Sequence, residues 1–448
     1  MLGDPFRFLH GSDFHLEQPP HGLAEIPDHL VELLAEAPYR AATHVFDTAL
    51  AEQVDFVLLA GNLVHPHRAG PRGLKFLHEQ FARLGERGIS VYWATSETDC
   101  RGQWPVNIGW PSNVHLFSAH RVERFVHSRG REPICQIAGI SVDGSAGPAP
   151  DVGGTGQRSR PVPADRLPSL TETEDRPAPF LDDFEGSAES LFTIGVVPNP
   201  LDPISLANSP VRYWALGGNA NAATPLDLSN PQRIAHLVGS PQGRRPIEDG
   251  PHGCTLVEID AESQFRLTSM PTDVVRWHHE RVAVDAAIGR SELDHVLHER
   301  LQALIAATPD RALLIRWTLG GEGPLMANAH RTGLAAELIS SLRTDYGIHS
   351  PPAWTTAVEI EAPALPDAWY EQETLVGDYL RAARSLEHSQ GEPIGLQAYL
   401  SERQLAGALT GCGAIVEPAT RRSILRQAAI LGADLLQPDF AAIKEPSR

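Results

Sequence analysis

In "FRFLHGSDFHLEQ", Phe6 to Gln18, a short apolar strand at Phe6 to His10 runs directly into Asp13 and His15. Both side chains are good ligands for a hard or borderline metal ion. The chain then alternates. "PYRAATHVFDTALAEQ" (Pro38 to Gln53) has apolar residues at helical spacing, and "VDFVLLAG" (Val54 to Gly61) is a continuous apolar run. "GLKFLHEQFARLGERG" (Gly73 to Gly88) is a second amphipathic helix, and "ISVYWAT" (Ile89 to Thr95) is the next strand. Continuous apolar strands between amphipathic helices predict an α/β sheet covered on both faces.

In such sheets, ligands bind beyond the carboxyl ends of the strands, so the residues delivered there matter most. The first strand delivers Asp13 and His15; the second delivers Asn62, His65 and His67. The third delivers Ser96, Glu97, Thr98 and Asp99. Later strands, "LFTIGVV" (Leu191 to Val197) and "VRYWALGG" (Val211 to Gly218), lead into "PNP" (Pro198 to Pro200) and "GGNAN" (Gly217 to Asn221). These residues alone allow two readings of Asp13 and His15. They hydrogen-bond the loops at the sheet end, or they join Glu97 and Asp99 around one Mg²⁺ or Mn²⁺ ion. His-Pro-His at His65 to His67 reads as exposed surface or as substitute ligands.

Taken in order, "FLHGSDFHLEQP", "VDFVLLAGNLVH", "GISVYWATSETD", "YWALGGNAN" and "GSPQGRRPIEDGPHGCTLVEID" resemble the blocks of the calcineurin-like metallophosphoesterases. Within that family the SbcD-type DNA-repair exonucleases and the YhaO-like proteins are the nearest in pattern. The resemblance covers most of residues 6 to 275. It implies a layered β-sheet core flanked by helices, then a small α/β capping domain and a helical C-terminus. It also implies two divalent ions, Mn²⁺ or similar, ~3.5–4 Å apart, that activate water for phosphodiester hydrolysis. Carried over position by position, the metal ligands fall on Asp13, His15, Asn62 and Glu97. Thr98 stands where the family has a histidine near the substrate phosphate, and Pro198, Gly218 and Ala220 stand where it has later histidines. Asn62 occupies the position of the bridging carboxylate, and a neutral amide bridges two cations poorly. The resemblance therefore implies a family protein of DNA repair or nucleic-acid processing whose dinuclear site is degraded or absent. Its alternatives are an active phosphodiesterase or exonuclease with a reduced site, and a non-catalytic scaffold for an SbcC- or YhaN-like coiled-coil ATPase. A homodimer is a further expected assembly.

The remaining sequence bounds this picture. A chain of 448 residues with 42% hydrophobic residues predicts two or three globular domains. The expected division is 1–272 for the phosphoesterase-like domain, 273–362 for the capping domain and 363–448 for the helical region. The Gly/Pro-rich stretch 144–190 reads as a long loop. "SELDHVLHERLQALIAATP" reads as a helix with Ser291 as its N-cap. "WHHE" (Trp277 to Glu280) lies in an expected strand and reads as structural. A net charge of -19 excludes a general polyanion binder, leaving Gly243 to Pro246 and Thr420 to Arg426 as the local basic patches for DNA contact. Four dispersed cysteines form no zinc or disulfide pattern. Neither a secretory signal nor a membrane-spanning run is expected, which predicts a cytoplasmic protein. The chain has no Gly-x-Ser-x-Gly elbow and no Walker loop.

Overall fold

The structure, a computed structural model, describes residues 4–105, 108–142, 184, 191–207, 209–223, 225–229, 233–321, 323–327, 329–361, 365, 367–388, 394–395, 414–415 and 418–436. The expected loop at 144–190 lies outside these residues except for Phe184, and so do residues 396–413 of the expected helical region.

The first sheet gathers β1 (Phe6–Gly11), β2 (Phe56–Ala60), β3 (Ser90–Ala94) and β4 (Val114–Leu116) as parallel neighbours. The second is built from β5 (Glu123–Arg129), β6 (Glu132–Gly139), β7 (Phe192–Val197), β8 (Tyr213–Leu216), β9 (Leu226–Ser229) and β10 (Arg233–Leu237), in the order β5-β6-β7-β8-β10-β9. Two antiparallel strands, β11 (Gly253–Ile259) and β12 (Phe265–Pro271), complete the first sheet beside β1.

Strand periodicity explains the continuous apolar runs. Val57 and Leu59 face the helices α1 (Asp28–Ala51) and α2 (Pro66–Gly85), while Phe56, Leu58 and Ala60 face the second sheet. Leu9 and Phe8 divide in the same way, as do Val91 and Tyr92. The first sheet is thus covered by helices on one side and by the second sheet on the other. The outer face of the second sheet buries Trp214, Phe184 and Leu206 of the short helix α3 (Pro203–Ala207).

Helix α1 begins at Asp28, well before the start expected at Pro38. Its first half buries Leu30, Leu34, Ala37 and Ala41 against a third sheet, and its second half buries Val45, Phe46 and Ala49 against the first. Burial of Leu30 and Leu34 supports the turns that precede Pro38, where the missing N–H reads in sequence as a start. The third sheet comprises β13 (Val275–Val284), β14 (Ala312–Gly321) and β15 (Ala353–Ile360), all parallel. Helix α4 (Arg290–Ala307), the short α5 (Pro324–Ala327) and α6 (Ala329–Thr332), and α7 (Leu334–Tyr346) connect its strands and cover one face. Gly289 caps α4, so Ser291 falls inside the helix. The C-terminal helices α8 (Asp367–Tyr370), α9 (Leu375–His388) and α10 (Pro418–Leu436) pack together through Trp369, Leu380 and Ala433. A short pair, β16 (Ile394–Gly395) with β17 (Ala414–Ile415), lies between the last two. No described helix is long and apolar enough to cross a membrane.

Polar pairs cross the apolar interface of the two large sheets, among them Tyr92 of β3 with His127 of β5 at 3.0 Å. His10 of β1 meets the Tyr213 hydroxyl at 3.0 Å, and His236 of β10 meets Thr255 of β11 at 2.8 Å. Burial pushes His10 well below its ordinary value, and it pushes His236 down to about 4. Both rings are held neutral in the fold but take up protons near pH 6.5 when the chain unfolds. Their contribution to stability is complete above pH 6.5 and is lost as pH falls toward 4. For His236 alone the change is about 3 kcal/mol, at roughly 1.36 kcal/mol per pKa unit. Urea unfolding at a series of pH values should show this acid loss, and His236→Gln, which keeps a partner for Thr255, should flatten it.

Candidate functional site

The loops after β1 and β2 are zipped together by their backbones. Asp13 N–H donates to Gly61 O at 3.0 Å, His15 N–H to Asn62 O at 2.9 Å, and Leu16 N–H to Leu63 O at 3.1 Å. Asp13, His15 and Asn62 all take left-handed backbone conformations, with φ of 57°, 44° and 57°. Such strain is uncommon in non-glycine residues and persists only where the surroundings enforce it. The loop after β8 closes over the same point. Gly217 must be glycine, because a Cβ there would lie 1.8 Å from the Ala60 carbonyl oxygen. Pro198, after β7, packs against Gly61.

These constraints bring three of the four expected ligands into one cluster. Asp13 is buried, and its carboxylate accepts from Ser12 Oγ at 2.7 Å, Asn62 Nδ2 at 2.8 Å and Gly218 N–H at 2.9 Å. His15 is half-buried, with Nε2 3.8 Å from Asp13 Oδ1 and Nδ1 3.4 Å from Glu17 Oε1. Burial works to lower the His15 pKa, but the two carboxylates outweigh it and the net shift is upward. Glu17 is shifted down, because His15 and the His65 N–H outweigh the effect of burial. Glu97, the fourth expected ligand, is exposed. Its neighbours turn inward instead. Thr98 Oγ1 donates to Asn62 Oδ1 at 2.9 Å, and Ser96 Oγ lies 2.7 Å from both Asn62 Oδ1 and Asp99 Oδ1. Asp99 is fully buried and also accepts from the Leu63 and Ser96 N–H groups; burial pushes it up to about 6 against these donors.

The orientation of the Asn62 amide follows from its neighbours. An oxygen 2.8 Å from Asp13 Oδ1 would meet a carboxylate lone pair, so the amide N–H takes that place and its oxygen faces the hydroxyls. The group in the bridging position is therefore a donor pointing at the carboxylate a metal would use. Both Asp13 oxygens and the Asn62 oxygen are already engaged. Among the described residues, no group of three or more His, Cys, Asp or Glu side chains is arranged to hold a metal ion. The donor set in this arrangement does not fit a dinuclear centre.

The three later positions of the resemblance line the same region without offering side-chain ligands. Gly218 gives its backbone N–H to Asp13, Pro198 packs on Gly61, and the Ala220 carbonyl accepts from Ser240. His65 is half-buried and His67 exposed. Sequence reasoning missed Glu17, Gln18 and Arg244. Arg244 was expected on a surface patch, yet it is 7% exposed and donates through Nη1 to Gln18 Oε1 at 2.8 Å. Arg245 remains at the surface and bonds Glu248. At the other basic patch Arg421 is buried, while Arg426 is exposed and bonds Glu387.

Asp13 thus serves as a hydrogen-bond hub. Asp13→Ala removes the acceptor of three donors; Ser12 Oγ keeps the Gly239 carbonyl at 3.3 Å and Gly218 is exposed, so the Asn62 N–H is the donor left short, at ~1–3 kcal/mol. Urea unfolding of the metal-free protein should show a loss of about 2 kcal/mol. A carboxylate whose only role is metal ligation in a cluster of like charges would give the opposite sign in metal-free protein.

No family model matches the chain. It is similar to an uncharacterised metallophosphoesterase, YhaO of Bacillus subtilis (strain 168), with 27% identity over 369 residues. The match covers 81% of this chain and 83% of that protein. Together with the layered α/β core, this likeness supports the metallophosphoesterase family for the chain, a family that generally works with divalent metal ions.

Proposed function

We propose that the chain is an SbcD/YhaO-like member of the metallophosphoesterase family that acts in DNA repair or nucleic-acid processing without a dinuclear metal centre. The observation that carries this reading is the Asn62 amide, whose N–H points at Asp13 where a bridging carboxylate would otherwise stand. The strand ends keep the backbone of an active site while their side chains satisfy one another. In this reading the protein is a cytoplasmic scaffold subunit for an SbcC- or YhaN-like coiled-coil ATPase. The helices α9 and α10 are its docking element, and Arg245, Arg422 and Arg426 are its exposed contacts for DNA phosphates.

Elemental analysis after incubation with Mn²⁺ and gel filtration tests the site. We expect less than one equivalent per chain, and hydrolysis of a generic phosphodiester or a DNA end no faster than in Asp13→Ala. Two equivalents with hydrolysis abolished by Asp13→Ala would overturn the proposal. One equivalent with the same dependence would establish the reduced site of Asp13, His15, Asn62 and Glu97 instead. Purification from native cells should recover a coiled-coil ATPase with the chain, and its consistent absence would remove the scaffold role.

A further inference from the structure

Hydrogen bonds and ion pairs run unbroken from Glu248 to Asp99 across the strand ends. Glu248 accepts from the Arg244 backbone N–H at 2.8 Å, and its Oε2 lies 3.8 Å from Arg244 Nε. Arg244 Nη1 donates to Gln18 Oε1 at 2.8 Å, and Gln18 Nε2 donates to Glu17 Oε1 at 3.3 Å. Glu17 pairs with His15, His15 with Asp13, Asp13 with Asn62, Asn62 with Ser96, and Ser96 with Asp99 through the contacts above. Arg244 is buried, and its Nε makes no hydrogen bond. Burial lowers its pKa, opposed by the carboxylates of Glu248, Asp13 and Glu17, and the Gln18 amide joins it to Glu17 by hydrogen bonds. A guanidinium keeps its proton at every physiological pH, so this cation is permanent.

We infer that Arg244 is the resident counter-cation of the strand-end site, standing in for metal charge and opposing divalent cations at Asp13 and Glu17. The inference rests on the reading of the site as metal-free and adds the residue that enforces it. Asn62 removes the bridging ligand. Arg244, reaching in from the segment before β11, supplies positive charge to the carboxylates that remain. A Mn²⁺ ion entering beside Asp13 meets this fixed charge in a buried setting, where like charges repel far more than in water.

Calorimetric titration with Mn²⁺ alone tests the inference. The proteins compared are wild type, Asn62→Asp, Asn62→Asp with Arg244→Gln, and Asn62→Asp with Arg244→Lys. Removing the Arg244 charge should tighten Mn²⁺ binding at least tenfold over Asn62→Asp, or make binding appear where Asn62→Asp shows none. Arg244→Lys loses the fork that reaches Gln18 but keeps the cation, and it should bind Mn²⁺ no more tightly than Asn62→Asp. Loss of loop support alone would move both variants alike. Should Arg244→Gln fail to fold, Arg244→Met, a neutral chain of similar length, takes its place. No gain in the neutral variant, or an equal gain in Arg244→Lys, overturns the inference while leaving the metal-free reading intact. Stoichiometric Mn²⁺ on wild type, with Arg244 in place, overturns both.

Discussion

The carboxylate of Asp13 is where the two large sheets are tied at their functional end. Its partners come from the loop after β1, from the loop after β2 and from the loop after β8. The first two strands belong to one sheet and the third to the other. One acceptor group thus draws together chain segments 205 residues apart. A buried carboxylate is tolerable only with such compensation, because an unpaired charge in a low-dielectric interior costs several kcal/mol. In a metal enzyme, cations supply the compensation. Here N–H and O–H groups of the protein hold the carboxylate, Arg244 adds the positive charge, and the left-handed backbone at Asp13, His15 and Asn62 keeps the donors in place.

Much of the layout was legible in the sequence. Strands buried on both faces betray themselves as apolar runs, so β1, β2 and β3 were read to within a residue or two. The order of strand-end residues then placed Asp13, His15 and Asn62 together. Strands at sheet edges left weaker traces. Glu123–Arg129 and Phe265–Pro271 alternate exposed and partly buried residues, and Val114–Leu116 is too short to show a period. The start of α1 was hidden by Pro38, because the surface that stabilises its first turns is formed by residues more than two hundred positions away.

Arg244 shows why the electrostatics of the site were harder to read than its geometry. Two adjacent arginines between glycine and proline look like solvated surface. Only folding separates them, turning Arg244 inward to Gln18 and leaving Arg245 outside. The contact spans 226 residues, and no local pattern announces it. Glu97 and Thr98 make the converse case. The residue with the better ligand chemistry faces out, and the hydroxyl beside it faces in, a choice made by the turn after β3 rather than by residue type.

The long first helix has a consequence for how the molecule comes apart. At about 1.5 Å per residue its 24 residues form a rod of roughly 36 Å, one half seated on the first sheet and the other on the third. Gln242 adds a second clasp by accepting the backbone N–H groups of Val274 and Val275. The expected boundary at residue 273 is therefore not a line of mechanical weakness. The smaller unit cannot melt without baring Leu30, Leu34 and Trp277, so loss of order in one body is passed directly to the other.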